Sequence, residues 1–183
     1  MEVIKRTYTI QRVGPFHSIE DIKDYKNDDT TIDLGYFNFY CFEARNCSNS
    51  KWRRYFGIHQ KNDGIDKRLN DWHEYYRQIK DYKYKNIWIG TFGNDRDQKD
   101  KSNIDIVETL LIRAYKEELG DNDKKKKMEP AESVCVVNLW YNIYEQVKHN
   151  RNLTISFMDD VIVYDGEVRR ILKGRLSEVK GTF

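Results

Sequence analysis

Glu108 is the residue whose place in the sequence most strongly suggests chemistry. Ile104, Leu111 and Ile112 lie three or four residues away from it, so the pattern predicts a helix over 104–119 with this carboxylate inside its apolar stripe. A carboxylate in such surroundings costs free energy unless a cation or a hydrogen-bond donor meets it. Two interpretations stay open: an edge position that reaches solvent or pairs with a nearby Arg or Lys, and a metal ligand.

Arg68 is the second candidate, on a helix predicted over 64–79. The apolar residues of this segment recur at spacings of four, three, four and three, which gives one apolar face: Ile65, Leu69, Trp72, Tyr76 and Ile79. A guanidinium can hold a phosphate through its fork of donors and offset charge on the oxygens. It can equally pack its stem on Trp72 with its head in water, which is the usual fate of a helical Arg.

Tyr40 and Tyr55 lie on two predicted strands, 34–44 and 51–59, that are joined as a hairpin. In a chain in which 14% of residues are aromatic, both can be core side chains. A phenol titrates near pH 10, so either tyrosine would need a neighbouring cation in order to act as a base at neutral pH. The pattern alone leaves them between packing and chemistry.

The remaining hydrophobic patterns predict the elements around these four residues. They are a strand over 3–12 that is followed by a Gly14-Pro15 turn, a helix over 18–25 capped by Ser18, a strand over 85–92, a polar loop over 93–103, and a segment over 133–149 in which a short apolar stretch, 134–137, continues into a helix. In the tail, 153–176, they are a hairpin of 154–157 with 161–164 and a further turn at Asp165-Gly166. At 183 residues one core is sufficient, and we predict a single α+β domain over 1–183.

The order of these pieces resembles the GIY-YIG nuclease family. Asn38-Phe39-Tyr40 lies on the first hairpin strand and Tyr55-Phe56-Gly57 on the second, and a helix with Arg68, a strand and a helix with Glu108 follow. The resemblance covers about residues 35–138. Order and spacing make it more specific than either tripeptide alone.

Two features depart from the family pattern. The first tripeptide lacks its Gly, and Gly35-Tyr36 offers a rival register in which the Tyr arrives too early. We prefer Tyr40 because Cys41-Phe42-Glu43-Ala44 continues the strand. The family often has a His one turn after its Arg, whereas His73 comes five residues after Arg68 and so lies well around the predicted helix from it.

The resemblance implies an α+β fold in which a small mixed sheet is flanked by helices. Residues 34–138 would form the GIY-YIG-like core, with an N-terminal strand-helix extension over 1–33 and a C-terminal helix and β-rich extension over 139–183. These additions favour a self-contained restriction-type or phage nuclease.

For the site, the resemblance implies a Mg²⁺-dependent endonuclease that hydrolyses DNA phosphodiesters. Tyr40 would help to deprotonate or orient the attacking water, with Tyr55 lining the same site. Arg68 would hold the scissile phosphate, and Glu108 would hold one Mg²⁺ together with water and a phosphate oxygen.

Two further residues are candidates through the same resemblance. His59, just after the second tripeptide, is a better placed imidazole than His73. The family also has an Asn beyond the Glu helix, for which Asn138 is the match we favour. An Asn before an apolar run is equally a usual helix N-cap.

Contacts with DNA are expected from local basic clusters, because the formal net charge is only +2. Lys51, Arg53 and Arg54 intersperse with aromatics next to Tyr55, and Lys83 and Lys85 do so before the third strand. Such residues give salt-sensitive, mostly sequence-independent affinity. RNA would undergo the same metal chemistry, and a homodimer would let one site per chain cut both strands.

An intracellular, cytoplasmic location is predicted from three observations. The segment 1–10 lacks the apolar run of a signal peptide, and no segment approaches the ~20 apolar residues of a membrane span. Three Cys without a CxxC pair indicate reduced thiols.

Two rival hypotheses stand beside the enzyme. One is a GIY-YIG-like module without catalysis that binds nucleic acid or a partner protein, which the missing Gly and the displaced His favour. The other is a structural or regulatory α+β protein whose tripeptides are coincidental. A nuclease requires Tyr40, Tyr55, Arg68 and Glu108 to face one cavity, with Glu108 not committed to a permanent internal partner.

Overall fold

A computed structural model describes residues 4–27, 37–61, 65–70, 73–93, 100–122, 125–141, 143 and 157–176. In chain order its elements are β1 (Arg6–Phe16), α1 (Ile19–Asn27), β2 (Phe39–Arg45), β3 (Arg53–Ile58), α2 (Ile65–Arg68), α3 (Glu74–Ile79), β4 (Tyr84–Phe92), α4 (Lys101–Ala114), β5 (Val134–Tyr141), β6 (Val161–Asp165) and β7 (Arg170–Gly174). The α+β class predicted from the sequence is confirmed. None of the helices in these ranges has the length and apolar character that a membrane span needs.

The strands form one mixed sheet in the order β3-β2-β4-β1-β5-β6-β7. Neighbours are antiparallel, except that β1 and β5 are parallel. The predicted hairpin is confirmed, with Tyr40 opposite Gly57 and Phe42 opposite Tyr55. β1, which belongs to the segment predicted as an N-terminal extension, lies in the middle of the sheet and not at its periphery.

Helices cover both faces of the sheet, and strand side chains alternate between two cores. On β2, Phe39 and Cys41 belong to the core under α4, whereas Tyr40 and Phe42 belong to the core under α1, α2 and α3. The near-continuous apolar run of β2 follows from this burial on both faces. Among the described strands, β3 and β7 are the edges of the sheet, and residues of helices from both layers lie beside β3.

The start of the helix predicted after the apolar stretch 134–137 is wrong, because the chain up to Tyr141 belongs to strand β5. It pairs with β1 on one side and with β6 on the other. β-branched Val134, Val136 and Val137 suit a strand with two neighbours, and that pairing outweighs the four-residue spacing of Leu139 and Ile143. Residues 142 and 144–149 of the prediction lie outside the described ranges.

The helix predicted over 64–79 is interrupted. α2 ends at Arg68, and His73 has an extended backbone (φ −63°, ψ 116°) that caps the start of α3. The Asn70 side chain donates a hydrogen bond of 2.7 Å to the carbonyl of Lys67. An Asn that bonds to nearby backbone in this way competes with the helix. His73 therefore caps the start of a new helix, and its side chain does not point where a single continuous helix over 64–79 would direct it.

Helix caps explain two other boundaries. Ser18 Oγ accepts a 3.1 Å bond from the backbone N–H of Asp21, which confirms the predicted cap of α1. α4 begins at Lys101, inside the predicted polar loop, because the Asp100 carboxylate accepts a 2.8 Å bond from the N–H of Ser102.

Strand ends differ from the predictions at both termini. β1 continues through Gly14-Pro15 to Phe16, with a shift of register after Val13, and does not end in a turn. The predicted pairing of 161–164 with 154–157 is wrong, because β6 pairs with β5 on one side and with β7 on the other. The predicted Asp165-Gly166 turn connects β6 and β7, and Asp165 Oδ1 accepts a 3.1 Å bond there from the N–H of Glu167. The predicted strand residues 154–156 lie outside the described ranges.

A substitution at Gly57 tests how closely the Tyr40 ring packs on the opposite strand of the hairpin. A Cβ at this position would lie 2.7 Å from Cε2 of Tyr40 and closer still to its Cζ and hydroxyl. Because the Tyr40 ring is fully buried, it has no room to move away. We expect Gly57→Ala to lower the free energy of unfolding by about 2–3 kcal/mol, measured by urea denaturation.

Gly120→Ala is the matched control, since a Cβ there meets nothing within 4 Å. Its free energy of unfolding is expected to match wild type within about 0.5 kcal/mol. Equal effects of the two alanines would contradict the close packing of Gly57 on Tyr40.

Candidate active site

A cavity of about 800 Å³ lies beside the edge strand β3, where the two helical layers approach each other. Residues of β3, α2, α3, α4 and the loop after α4 line it. Those that carry charge or aromatic hydrogen-bonding groups include Arg53, Tyr55, Arg68, His73, Glu108 and Lys125. Segments that are distant along the chain therefore meet at one opening.

Three of the four residues singled out from the sequence face this cavity. Tyr55, Arg68 and Glu108 line it. Tyr40 lies behind them: it has no exposed surface, and its ring stacks on Tyr55 with the centroids 6.2 Å apart. The requirement that all four residues face one cavity is therefore met by three of them, and Tyr40 contacts a cavity residue without lining the cavity itself.

Tyr40 is held by His73. The Tyr40 hydroxyl lies 2.9 Å from His73 Nε2, and His73 Nδ1 accepts a 3.3 Å bond from the backbone N–H of Tyr76. Because Nδ1 acts as an acceptor, the proton of a neutral imidazole is on Nε2, and His73 donates to Tyr40. The interruption between α2 and α3 makes this contact possible, so the displaced position of His73 in the sequence did not remove it from the site.

Burial sets the protonation states of these rings. It lowers the pKa of His73 to about 4, and the positive charge of Arg68 acts in the same direction. It raises the pKa of Tyr40 above its usual range, with Tyr55 adding to the shift and Arg68 opposing it. Burial also raises the pKa of Tyr55, and the positive charge of Arg68 again opposes the shift. Imidazole and phenols are therefore neutral at pH 7 and act through hydrogen bonds.

Glu108 has a cationic partner. Its Oε2 lies 2.7 Å from Nζ of Lys125, which also contacts the carboxylate of Asp105. Burial raises the pKa of Glu108, and the Lys125 ammonium opposes that shift. Of the two interpretations that the sequence left open, pairing with a nearby Lys is thus present in this structure, and it counts against a freely available metal ligand.

A second set of polar contacts attaches the loop after α4 to the edge strand. Arg53 donates two bonds to the Asp121 carboxylate, at 3.0 and 3.1 Å. Asn122 accepts from the N–H of Phe56 at 2.8 Å and donates to its carbonyl at 2.7 Å, as a neighbouring strand would. The sequence patterns did not predict these contacts of the loop with β3. The turn-forming residues Gly120-Asp121-Asn122 are the feature of the sequence that could have indicated them.

His59 and Asn138 are not among the residues that line the cavity. His59 is buried directly after β3, and its N–H donates to the carbonyl of Asn38 at 2.7 Å. Asn138 lies within β5, four strand positions from β3, or about 19 Å at the usual strand spacing. Its proposed role as a helix N-cap is wrong, because it lies within a strand.

Asn138 has a structural partner in Arg12, which is fully buried in the core. Asn138 Oδ1 accepts a 2.7 Å bond from Arg12 Nε, and its Nδ2 donates to the Asp159 carbonyl at 2.8 Å. Nη1 and Nη2 of Arg12 have no hydrogen-bond partner among the described residues. Burial lowers the pKa of Arg12 to about 10, so the guanidinium is still charged at neutral pH.

The residues expected to contact DNA fall into two groups. Arg53 and Arg54 are engaged in ion pairs, with Asp121 at 3.0 Å and with Glu43 at 3.1 Å, on opposite faces of β3. The lysines lie at the end of the sheet that carries the β2–β3 loop. Lys51 and Lys83 are exposed there, and the Lys85 ammonium donates to the carbonyl of Lys80.

No protein-family model, curated protein or solved structure matches this chain. The resemblance to GIY-YIG nucleases therefore rests on its residues and their arrangement. The described residues contain no group of three or more His, Cys, Asp or Glu side chains placed to hold a metal ion. A divalent ion at Glu108 would take one protein carboxylate, with water and phosphate oxygens as its other ligands, which is a coordination that Mg²⁺ accepts. The ammonium beside Glu108 shows that this carboxylate stabilises a positive charge.

Removing the Asn138 amide is expected to destabilise the core without a local effect at the cavity. Asn138→Ala deletes the bond to the buried Arg12 guanidinium, and we expect a loss of about 2–3 kcal/mol in urea denaturation. Asn49→Ala, in the exposed β2–β3 loop, serves as the control and should be neutral. A wild-type stability for Asn138→Ala would contradict the pairing with Arg12.

His73 is expected to give the protein part of its acid sensitivity. Its folded pKa of about 4 is below the usual value of 6.5, so between these values the unfolded chain binds a proton that the folded chain does not. Stability is then fully present above about pH 6.5 and falls as the pH falls toward 4. His73→Asn keeps a capping oxygen for α3 but does not titrate.

Chemical denaturation at pH 7.5 and pH 5 measures this effect. Wild type should lose on the order of 1 to 2 kcal/mol more than His73→Asn between the two conditions. The same pH dependence in both proteins would show that His73 is not held neutral by the fold.

Proposed function

We propose that this chain is a nuclease that hydrolyses phosphodiester bonds of DNA at the cavity beside β3. The observation that carries the proposal is the meeting of Tyr55, Arg68 and Glu108, from three separate elements, at one opening. Their order along the chain is the one that the resemblance to GIY-YIG nucleases implies. A phenol, a guanidinium and a carboxylate are together the groups that water orientation, phosphate binding and cation binding require.

Arg68 would bind the scissile phosphate. It is exposed at the end of α2 and lines the cavity. Its charge acts on Tyr40, Tyr55 and His73, which places the guanidinium beside the aromatic wall. A fork of donors held there can bind two phosphoryl oxygens and stabilise the negative charge that gathers on them during hydrolysis.

Tyr55 would orient the attacking water. Its phenol is half-buried at the cavity wall and stays protonated at neutral pH, so it acts by hydrogen bonding and not as a base. Tyr40 and His73 would be positioning residues. Their mutual hydrogen bond and the packing of Tyr40 on Tyr55 and Gly57 fix the angle at which the Tyr55 ring faces the opening.

Glu108 would hold one Mg²⁺ ion. When bound, such an ion neutralises phosphate charge and polarises the phosphorus centre toward attack by water. The burial of the carboxylate, which raises its pKa, makes a cationic partner more necessary than it would be at the surface. DNA would approach over the end of the sheet that carries Lys51, Lys83 and Lys85.

The ion pair between Glu108 and Lys125 favours a second candidate function. If Lys125 is the permanent partner of Glu108, the chain is a GIY-YIG-like module that binds nucleic acid without cutting it. Arg68 and the exposed lysines would then supply the phosphate contacts.

Nicking of supercoiled plasmid DNA distinguishes the two functions. With Mg²⁺ we expect nicking by wild type, none in EDTA, and a loss of at least about 100-fold for Glu108→Gln, which keeps a hydrogen bond to Lys125 but loses the charge that binds the metal. Arg68→Lys should also lose most activity, because an ammonium cannot reproduce the fork of donors.

Glu117→Gln is the matched control for charge, since this exposed residue contacts Lys116 at 3.8 Å and does not line the cavity. It should cut as wild type does. Absence of nicking by wild type, or equal nicking by Glu108→Gln, would exclude the enzyme and leave the binding module and the structural or regulatory protein.

A further inference from the structure

We propose that Lys125 is a built-in competitor of the divalent cation for Glu108, and that Asp105 holds the Lys125 ammonium when the cation is bound. This inference rests on the proposed function, because it concerns the metal site of that function. It assigns a role to a residue of the loop after α4 that the resemblance to the family does not include.

The contacts of Lys125 suggest two alternative partners for one charge. Its Nζ contacts the carboxylates of both Glu108 and Asp105. These two acids are three residues apart on α4 and so lie on the same face, one turn from each other. The ammonium bridges a carboxylate that lines the cavity and one that does not.

The surroundings of the two acids differ. The Glu108 side chain is 13% exposed, whereas that of Asp105 is 52% exposed. A cation bound to the sheltered carboxylate is therefore poorly screened from a second positive charge. If a divalent ion and the ammonium shared Glu108, their repulsion would weaken both contacts. A move of the ammonium toward Asp105 relieves this repulsion and keeps one ion pair.

The backbone around Lys125 is attached on both sides. Asn122 is bonded to β3, and the carbonyl of Lys126 accepts a 3.0 Å bond from Arg113 of α4. Lys125 itself has a positive φ of 64°, which a non-glycine residue adopts at a cost of about 1 kcal/mol. The fold thus holds this lysine in an unfavourable backbone conformation that directs its ammonium to the acids of α4. Displacement of the ammonium from Glu108 to Asp105 requires a rotation of the Lys125 side chain, since the ammonium already contacts both carboxylates.

Mn²⁺ binding tests the inference without any need for activity. It is measured from the electron paramagnetic resonance signal of the free aqueous ion, which decreases as the ion binds. Lys125→Met should bind Mn²⁺ about tenfold more tightly than wild type, which corresponds to about 1.4 kcal/mol. Asp105→Asn should bind about threefold more weakly, because Lys125 then has Glu108 as its remaining partner on α4. Glu108→Gln should abolish binding.

Two controls separate this mechanism from a general change of charge. Lys127→Met removes the same charge from an exposed neighbour and should change the affinity by less than about twofold. In the double variant Lys125→Met/Asp105→Asn, the weakening caused by Asp105→Asn should largely disappear, because Asp105 acts through Lys125. Lys125→Gln provides a second replacement of the ammonium with a different shape.

The outcomes distinguish the failure of this inference from that of the proposed function. Mn²⁺ binding that depends on Glu108 but is unchanged or weakened in both Lys125 variants overturns the competition and leaves the metal site. Binding that appears only when Lys125 is replaced supports the competition, whatever the plasmid assay shows. Absence of Mn²⁺ binding in every variant overturns both the competition and the metal-dependent nuclease.

Discussion

The edge strand β3 is the constraint on which the candidate site depends. No strand of the described ranges lies beside its outer backbone groups, and an unpaired edge exposes hydrogen-bonding groups that proteins commonly cover. Here the Asn122 side chain bonds to both the N–H and the carbonyl of Phe56. That attachment brings the loop after α4 against the sheet, and with it Asp121 and Lys125. Because side chains of β3 alternate between the two faces, the strand also brings the two helical layers to the same opening.

The free-energy cost of burying the Glu108 carboxylate connects the sequence pattern with the proposed chemistry. A carboxylate within an apolar helix face requires a cation, and the sequence predicted that requirement without predicting which cation would meet it. The structure supplies the Lys125 ammonium at 2.7 Å. A divalent ion would also place a positive charge beside the carboxylate, and its charge is higher than that of the ammonium. The proposed competition therefore follows from a single property of this carboxylate, namely that its burial raises its pKa and a positive neighbour opposes that shift.

Local patterns predicted the parts of the fold that local interactions decide. The hairpin of β2 and β3, the Ser18 cap and the α4 helix follow from alternation, capping chemistry and helical spacing. β5 did not, because its strand conformation depends on pairing with β1 and β6, and only the folded sheet supplies those partners. His73 is the clearest case at the site. In a continuous helix, a residue five positions after Arg68 would lie well around the helix from it. The interruption near Asn70 brings His73 into contact with Tyr40 instead, and a pattern of regular helical spacing does not predict such an interruption.

The central place of β1 affects how the chain can be made and divided. Arg12 on β1 and Asn138 on β5 are bonded although 126 residues separate them. During synthesis the first strand therefore leaves the ribosome long before its partners β4 and β5, and the sheet closes only when most of the polypeptide has emerged. A fragment that starts at the β2–β3 hairpin would leave β4 with one side uncovered, which is a surface prone to aggregation. The segment that resembles a nuclease core in the sequence therefore shares its sheet with β1, a strand that lies outside that segment.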